Sequence, residues 1–313
     1  MPLQTLKRET ADELVLEWVI LIKNYRLILD KKRCVGCQIC SLVCPKEAIT
    51  TARQPVPQGE KALKPRVDID VSKCNFCGAC DILCPYGAIN VTVDGKHLLP
   101  AVEKGSFPQI VRDIKIDSKK FPLIQIKNED ACPLGLISLH LSSPPEQSAD
   151  NLEVLKEPEK SEASITVEVD SQHCPCCGYC EEKFPAGTIN MGRLFEGKIA
   201  INGEKCPEGC TICMDVCPIT EVLNLQNEDK KVYVNDKFCV YCGACKIACP
   251  VDEALLLKRT RVNHTVVRSG AWNKALERLT SATDMAKELK AKGSTRTRES
   301  VKKRIGLKEE KNV

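Results

Sequence analysis

"CVGCQICSLVCP", residues 34–45, spaces its cysteines as C-x2-C-x2-C-x3-C-P, and the spacing recurs along the chain. Cys74, Cys77, Cys80 and Cys84 repeat it, as do Cys239, Cys242, Cys245 and Cys249. Cys206, Cys210, Cys213 and Cys217 repeat it with a first gap one residue longer. Each last cysteine precedes a proline, Pro45, Pro85, Pro218 or Pro250. A fifth run, "HCPCCGYCEEKFPAG" at 173–187, keeps Cys174, Cys177, Cys180 and Pro185 but carries Phe184 where a fourth cysteine should stand.

The flanks repeat as well. An apolar alternation ends in Asp30, Asp70, Asp170, Asn202 or Asn235, four residues before the first cysteine of its run. After the proline come a short helical turn and a second apolar strand, as in "PYGAINVTV" (85–93) and "PVDEALLLK" (250–258). The repeating unit is therefore strand, cysteine loop, short helix, strand. The same flank opens a sixth copy in "IKIDSKKFPLIQIKNEDACPLGLISL" (114–139), where Asp117 stands four residues before Phe121. Aligned without a gap on "CPEGCTICMDVCP" (206–218), this copy has Phe121, Gln125 and Asn128 at the first three ligand positions and Cys132 at the fourth.

Three thiols at i, i+3 and i+6 on one tight loop aim at a common point, which suits an iron–sulfur cubane offering several corners. A structural zinc site is usually built from two separated C-x2-C pairs. Disulfides between neighbours on one loop constrain little. The N-terminal stretch has acids within its apolar part and no small-residue cleavage site, so it does not read as a secretory signal. Its apolar run Trp18–Ile22 is too short to cross a bilayer. A cytoplasmic protein without a membrane span is expected, in a compartment where thiols stay reduced or bind metal.

The units closely resemble two-cluster bacterial ferredoxins, in which the fourth cysteine of each run ligates the other cluster. That resemblance implies an α+β chain of three tandem two-cluster ferredoxin domains, with short β-hairpins and small helices, plus a C-terminal helical tail. Residues 1–112 form the first domain, with one cluster on Cys34, Cys37, Cys40 and Cys84 and the other on Cys74, Cys77, Cys80 and Cys44. Residues 201–260 form the last, with one cluster on Cys206, Cys210, Cys213 and Cys249 and the other on Cys239, Cys242, Cys245 and Cys217. Residues 113–200 form the middle one. Its retained cluster takes Cys174, Cys177 and Cys180 with Cys132, while the positions of the partner cluster, Phe121, Gln125, Asn128 and Phe184, have all lost cysteine together.

Five 4Fe–4S clusters then use twenty of the twenty-one cysteines and leave Cys176. A small buried residue beside the loop is the plain reading of Cys176, a further ligand or redox thiol the other. The competing account of Phe184 is a three-cysteine 3Fe–4S site with Cys132 incidental. Phe121 and Phe184 are expected to fill the vacated volume.

Residues 51–66 and 142–164 are rich in Pro, Ser and charge and read as loop insertions between the halves of a domain. The histidines His97, His140, His173 and His264 form no ligand spacing. From residue 261 onward fourteen Lys or Arg face six acids, and Trp272, Leu276, Leu279, Met285 and Leu289 recur at near-helical spacing. Such a helix either packs back on its own domain or docks on a partner, and docking is expected for this basic tail, 261–313. The formal charge of +4 does not argue for nucleic acid. Five oxidised clusters with their thiolates add roughly −10, and no aromatic-studded basic surface or base-reading motif accompanies the charge.

No glycine-rich phosphate fingerprint, catalytic triad or further metal site is present, so no active site of its own is expected. One-electron transfer along closely spaced clusters is the chemistry available. Over its cysteine-bearing length the chain resembles an archaeal polyferredoxin. The link "LLPAVEKGSFPQIVRDIKID" (98–117) and the stretch "VVRSGAWNKALERLTSATDMAKELKAKGSTRTRESVKKR" (266–304) resemble the polyferredoxin component of tungsten or molybdenum formylmethanofuran dehydrogenase. This implies electron exchange with the catalytic and small ferredoxin subunits of such a complex, which interconvert carbon dioxide plus methanofuran and formylmethanofuran. Members of that family carry eight clusters, and five here mark a departure. A polyferredoxin of a hydrogenase or heterodisulfide reductase complex is the alternative within the class. A non-catalytic protein using clusters as structural staples or as a redox sensor is the alternative outside it.

Overall fold

The computed structural model describes residues 4–20, 22–56, 60–117, 131–142, 164–226 and 230–280. One pattern of strand pairing occurs three times, with an outer pair enclosing an inner hairpin. In the first instance β3 (Lys23–Asp30) pairs with β6 (Ile89–Val93), and β4 (Ile49–Ala52) with β5 (Arg66–Ile69). In the second, β7 (Ile114–Ile116) pairs with β10 (Ile189–Met191), and β8 (Ile137–Ser142) with β9 (Ser164–Val169). In the third, β11 (Phe195–Ile201) pairs with β14 (Leu255–Val262), and β12 (Leu223–Leu225) with β13 (Val232–Val234). All six pairings are antiparallel. Among the described residues no helix is long and apolar enough to cross a membrane.

The repeated Asp or Asn closes each strand by two bonds. Its backbone N–H donates to the partner half: Asp30 to Ala88, Asp70 to Ala48, Asp170 to Leu136, Asn202 to Ala254 and Asn235 to Val222. Its side chain then turns the chain into the cysteine loop. Asp30 Oδ1 accepts from Lys32 N at 2.8 Å, Asp70 Oδ1 from Ser72 N at 2.9 Å and Asn202 Oδ1 from Glu204 N at 3.0 Å. Asp117 of the sixth copy makes the same backbone bond, to Thr188 at 2.8 Å. Phe121, Gln125 and Asn128 lie outside the described residues.

The N-terminal stretch adds a hairpin, β1 (Gln4–Glu9) and β2 (Glu13–Ile20), that extends β3 and β6 into a four-stranded sheet. Trp18 on β2 packs 5.7 Å from the Tyr25 ring and 6.0 Å from Phe76, sealing one side of the first cysteine loops.

The structure moves two expected boundaries. β11 begins at Phe195, so a division at 200/201 would cut the strand whose seven residues pair with β14. Likewise β14 runs to Val262. The basic tail also departs from expectation. Its described helix, Gly270–Thr280, does not offer a free apolar stripe. Trp272, Ala275 and Leu279 are buried, and the Trp272 ring lies edge-on to Phe107 at 6.1 Å and to His264 at 4.8 Å. Arg278 on the same helix donates to the Cys44 carbonyl and pairs with Glu47 at 3.0 Å. The helix fills a seam between the first and third strand sets, a surface that exists only once these meet. Residues 281–313, with Met285 and Leu289, lie outside the described residues.

Candidate iron–sulfur cluster sites

Four loops share one backbone solution. The third and fifth residues of each run are left-handed: Gly36 and Gln38, Phe76 and Gly78, Cys176 and Gly178, Tyr241 and Gly243. The turns so made aim successive cysteines inward. The short helices α1 (Ile39–Val43), α2 (Ala79–Ile82), α4 (Tyr179–Lys183) and α6 (Ala244–Ala248) then carry the third cysteine of each run; α3 is Pro100–Glu103 and α5 is Ile212–Asp215. Gly36 has no alternative, since a Cβ there would meet the Pro65 carbonyl oxygen at 2.4 Å.

The fold brings the fourth cysteine of one run near the first cysteines of another. Burial, reinforced by Cys84, pushes Cys34 up to about 11. Burial, with Cys44 among its neighbours, does the same to Cys74. Cys213 is pushed up to about 12 by burial with Cys210, Cys206 and Cys249 around it. Cys217 reaches about 12 through burial with Cys242 and Cys239 nearby, and Cys177 about 12 through burial with Cys174 and Cys132 nearby. Cys132 therefore stands with Cys174, Cys177 and Cys180, across the sequence from them.

Two of these groups surround apolar cavities. Cys132, Cys174, Cys177 and Cys180 line one with Leu136, Ile137 and Val169. Cys217, Cys239, Cys242 and Cys245 line another with Ile219, Leu223 and Tyr86. Among the described residues no three Cys, His, Asp or Glu side chains converge closely enough to grip a single ion. Several thiols lining one apolar cavity suit a polynuclear cluster. Backbone amides already point at sulfur: Ala48 N to Cys44 Sγ and Ala88 N to Cys84 Sγ at 3.3 Å, Cys176 N to Cys174 Sγ and Tyr241 N to Cys239 Sγ at 3.4 Å. The Tyr86 hydroxyl is buried with no nitrogen or oxygen partner and faces Cys242. A cluster-bound thiolate there would supply its missing acceptor. The residues fit the group.

Phe184 is 5% exposed and packs with Ala131, Ile137, Val167 and Ile189, so a side chain occupies the core where a fourth cysteine would stand. Cys176 takes the loop position of Phe76 and Tyr241 and is as buried as they are. A hydrogen bond from its thiol outweighs burial and holds Cys174 down at about 7. The histidines turn elsewhere, His97 to Asp81 at 3.0 Å and His173 to Asp170 at 2.6 Å.

Three residues at the seams carry no cysteine-like signal: Tyr86, Arg112 and Arg259. Arg112 ties loops of different units, donating to the carbonyls of Cys174 and Cys84, each at 3.0 Å. Arg259 announces itself only as a charge on the inward parity of β14, two residues beyond Leu257 and four beyond Leu255.

Known proteins share these features. Residues 33–88 and 198–250 each match the 4Fe–4S dicluster domain. An uncharacterized ferredoxin of Methanocaldococcus jannaschii is 35% identical over 60 residues, which span 77% of that protein and 19% of this chain. A second from the same organism is 31% identical over 88 residues, 27% of this chain and 50% of its own length. The polyferredoxin-like subunit of a Pyrococcus furiosus aliphatic sulfonate oxidoreductase is 29% identical over 103 residues, 29% of this chain and 58% of its own length. The chain thus spans only 50% and 58% of these latter two relatives. A chain in the formate dehydrogenase–heterodisulfide reductase–formylmethanofuran dehydrogenase complex from Methanospirillum hungatei superposes with a TM-score of 0.73 at 29% identity, covering 88% of this chain and 91% of that one. Through its two 4Fe–4S dicluster domains, and through a ferredoxin matched over 77% of its length, the chain belongs to the iron–sulfur ferredoxins and is a homologue of the polyferredoxins.

Proposed function

We propose that the chain is a multi-cluster electron-transfer subunit of a formylmethanofuran dehydrogenase complex, holding five 4Fe–4S clusters in three ferredoxin domains. The ligand sets are Cys34, Cys37, Cys40, Cys84; Cys74, Cys77, Cys80, Cys44; Cys174, Cys177, Cys180, Cys132; Cys206, Cys210, Cys213, Cys249; and Cys239, Cys242, Cys245, Cys217. The observation that carries this reading is Cys132, which joins the three thiols of the 173–187 run across one apolar cavity. Phe184 belongs to the neighbouring position, where side chains replace a sixth cluster. The pairing of β7 with β10 and β8 with β9, the same as in the two matched dicluster domains, supports counting the middle segment as a third domain.

Held in these sites, 4Fe–4S clusters would supply reversible one-electron chemistry. The chain's residues fix the rest. Left-handed loop residues point the thiols, apolar walls exclude water, and backbone amides aimed at sulfur favour the more negative, reduced state. The choice of complex rests on the likeness to a chain of an assembly that includes formylmethanofuran dehydrogenase. That assembly also contains heterodisulfide reductase, so electron exchange with a heterodisulfide reductase is the second reading.

Reconstitution tests the role. With the chain present, purified formylmethanofuran dehydrogenase catalytic subunits should turn over with a protein electron donor. Without it only small-dye-linked activity should remain. Protein-linked turnover undiminished by omission of the chain would contradict the assignment.

A further inference from the structure

Arg259 is 5% exposed. Its Nε donates to the Tyr241 carbonyl at 2.7 Å, one terminal nitrogen donates to the Cys242 carbonyl, and the other to Leu279 O at 3.5 Å. Its guanidinium stands 5.9 Å from the Phe195 ring. Every one of these acceptors is neutral, and among the described residues no carboxylate forms an ion pair with it. The nearby Lys246 on α6 is a second cation, repelled by Arg259. A guanidinium stripped of water among neutral carbonyls is strongly disfavoured unless an anion compensates it.

Thiols of two units lie within electrostatic reach of it, Cys37 from the first and Cys242, Cys245 and Cys239 from the last. The two units touch here. A Cβ on Gly243 would lie 3.0 Å from Arg259 and 3.6 Å from the Cys37 carbonyl. Tyr86 of the first unit reaches the same place and turns its hydroxyl to Cys242. Two further bonds clamp the units together, Arg53 to the Cys249 carbonyl at 2.6 Å and Ala62 N to Asp215 Oδ2 at 3.1 Å. With clusters bound, each thiolate group carries about −2 when oxidised, and the missing anion is present twice.

Resting on the cluster reading above, we propose that Arg259 is the shared counter-charge of the clusters held by Cys37 and by Cys242, a positioning residue that raises both potentials and makes this seam the crossing point for electrons between the first and last units. The crossing joins units that are not neighbours in the chain. One electron leaves the reduced cluster on one side and enters the oxidised cluster on the other; the first is oxidised, the second reduced, and no bond or proton is exchanged. A fixed positive charge stabilises whichever cluster holds the extra electron.

The test is redox-poised EPR on the loaded full-length protein, comparing wild type with Arg259→Met and Arg259→Lys. In Arg259→Met two of the five clusters should become harder to reduce, each equilibrium shifting by about tenfold or more, about 59 mV for a one-electron couple, while the others hold their wild-type values. Arg259→Lys should restore both. Five unshifted potentials in Arg259→Met, or a shift in one cluster alone, would overturn the inference while leaving the electron-transfer reading standing. Should Arg259→Met fail to assemble the two clusters, assembly with wild-type potentials in Arg259→Lys supports the counter-charge. Failure of both variants to assemble them would make the guanidinium fork merely structural and overturn it. Wild-type clusters that accept no electron would overturn the electron-transfer reading itself.

Discussion

Cys132→Ala should cost the protein one cluster and spare four. Iron should fall from about twenty atoms per chain toward about sixteen, with the EPR features of the remaining clusters unchanged. The reasoning is spatial. Cys132 lies about forty residues before the run it completes, yet it lines the same cavity as Cys174, Cys177 and Cys180. Its removal leaves, among the described residues, only the three thiols of the run on that cavity, because Phe184 is buried in the adjoining core and can supply none. Cys176 is not a substitute. Its thiol is buried and engaged with Cys174. A matching Cys176→Ala variant should therefore retain the full iron complement. If Cys132→Ala keeps all its iron, the exchange of ligands between halves is wrong for the middle unit. An oxidised wild type that already shows a 3Fe–4S signal would favour the three-cysteine alternative instead.

Trp272→Ala should destabilise the loaded protein by about 3–5 kcal/mol, the cost of deleting a large, fully packed aromatic side chain. Trp272 is 2% exposed, held edge-on by Phe107 and His264, and its helix lies against α1, whose Ile39 and Val43 belong to the same apolar core. The loss should appear in anaerobic denaturant unfolding as a lower midpoint, with little change in iron content below the transition. A cost under about 1 kcal/mol would mean that the indole is not packed and that the helix is free for a partner, as the sequence pattern suggests.

How much of this was legible in the sequence divides along a physical line. The cysteine runs and the Asp or Asn before them could be read because their chemistry is local. Thiols three residues apart share a loop, and an Asx turn lies within that loop's own backbone. The third-position residues Phe76, Cys176 and Tyr241 were unmarked, since left-handed geometry at non-glycine residues shows only in the fold. The correlated loss of Phe121, Gln125, Asn128 and Phe184 was legible as a pattern, although only Phe184 falls among the described residues. What the sequence did not disclose depends on how distant units meet. The N-terminal hairpin finds its place because β3 has a free edge to extend. The tail helix packs inward because the seam between the first and last units offers the apolar surface that an isolated ferredoxin domain lacks. Tyr86 and Arg259 are ordinary residues in their own strands and loops; their partners Cys242 and Cys37 lie in another unit.

The most direct test of the central claim is anaerobic quantitation of iron together with coulometric reduction of the purified, fully loaded chain. Five clusters on exchanged ligands require about twenty irons and about five electrons per chain, taken up reversibly at low potential. Values near sixteen and four would mean that the middle unit holds no cluster, values near twenty-four and six that no cluster has been replaced by side chains, and either pair would contradict the account.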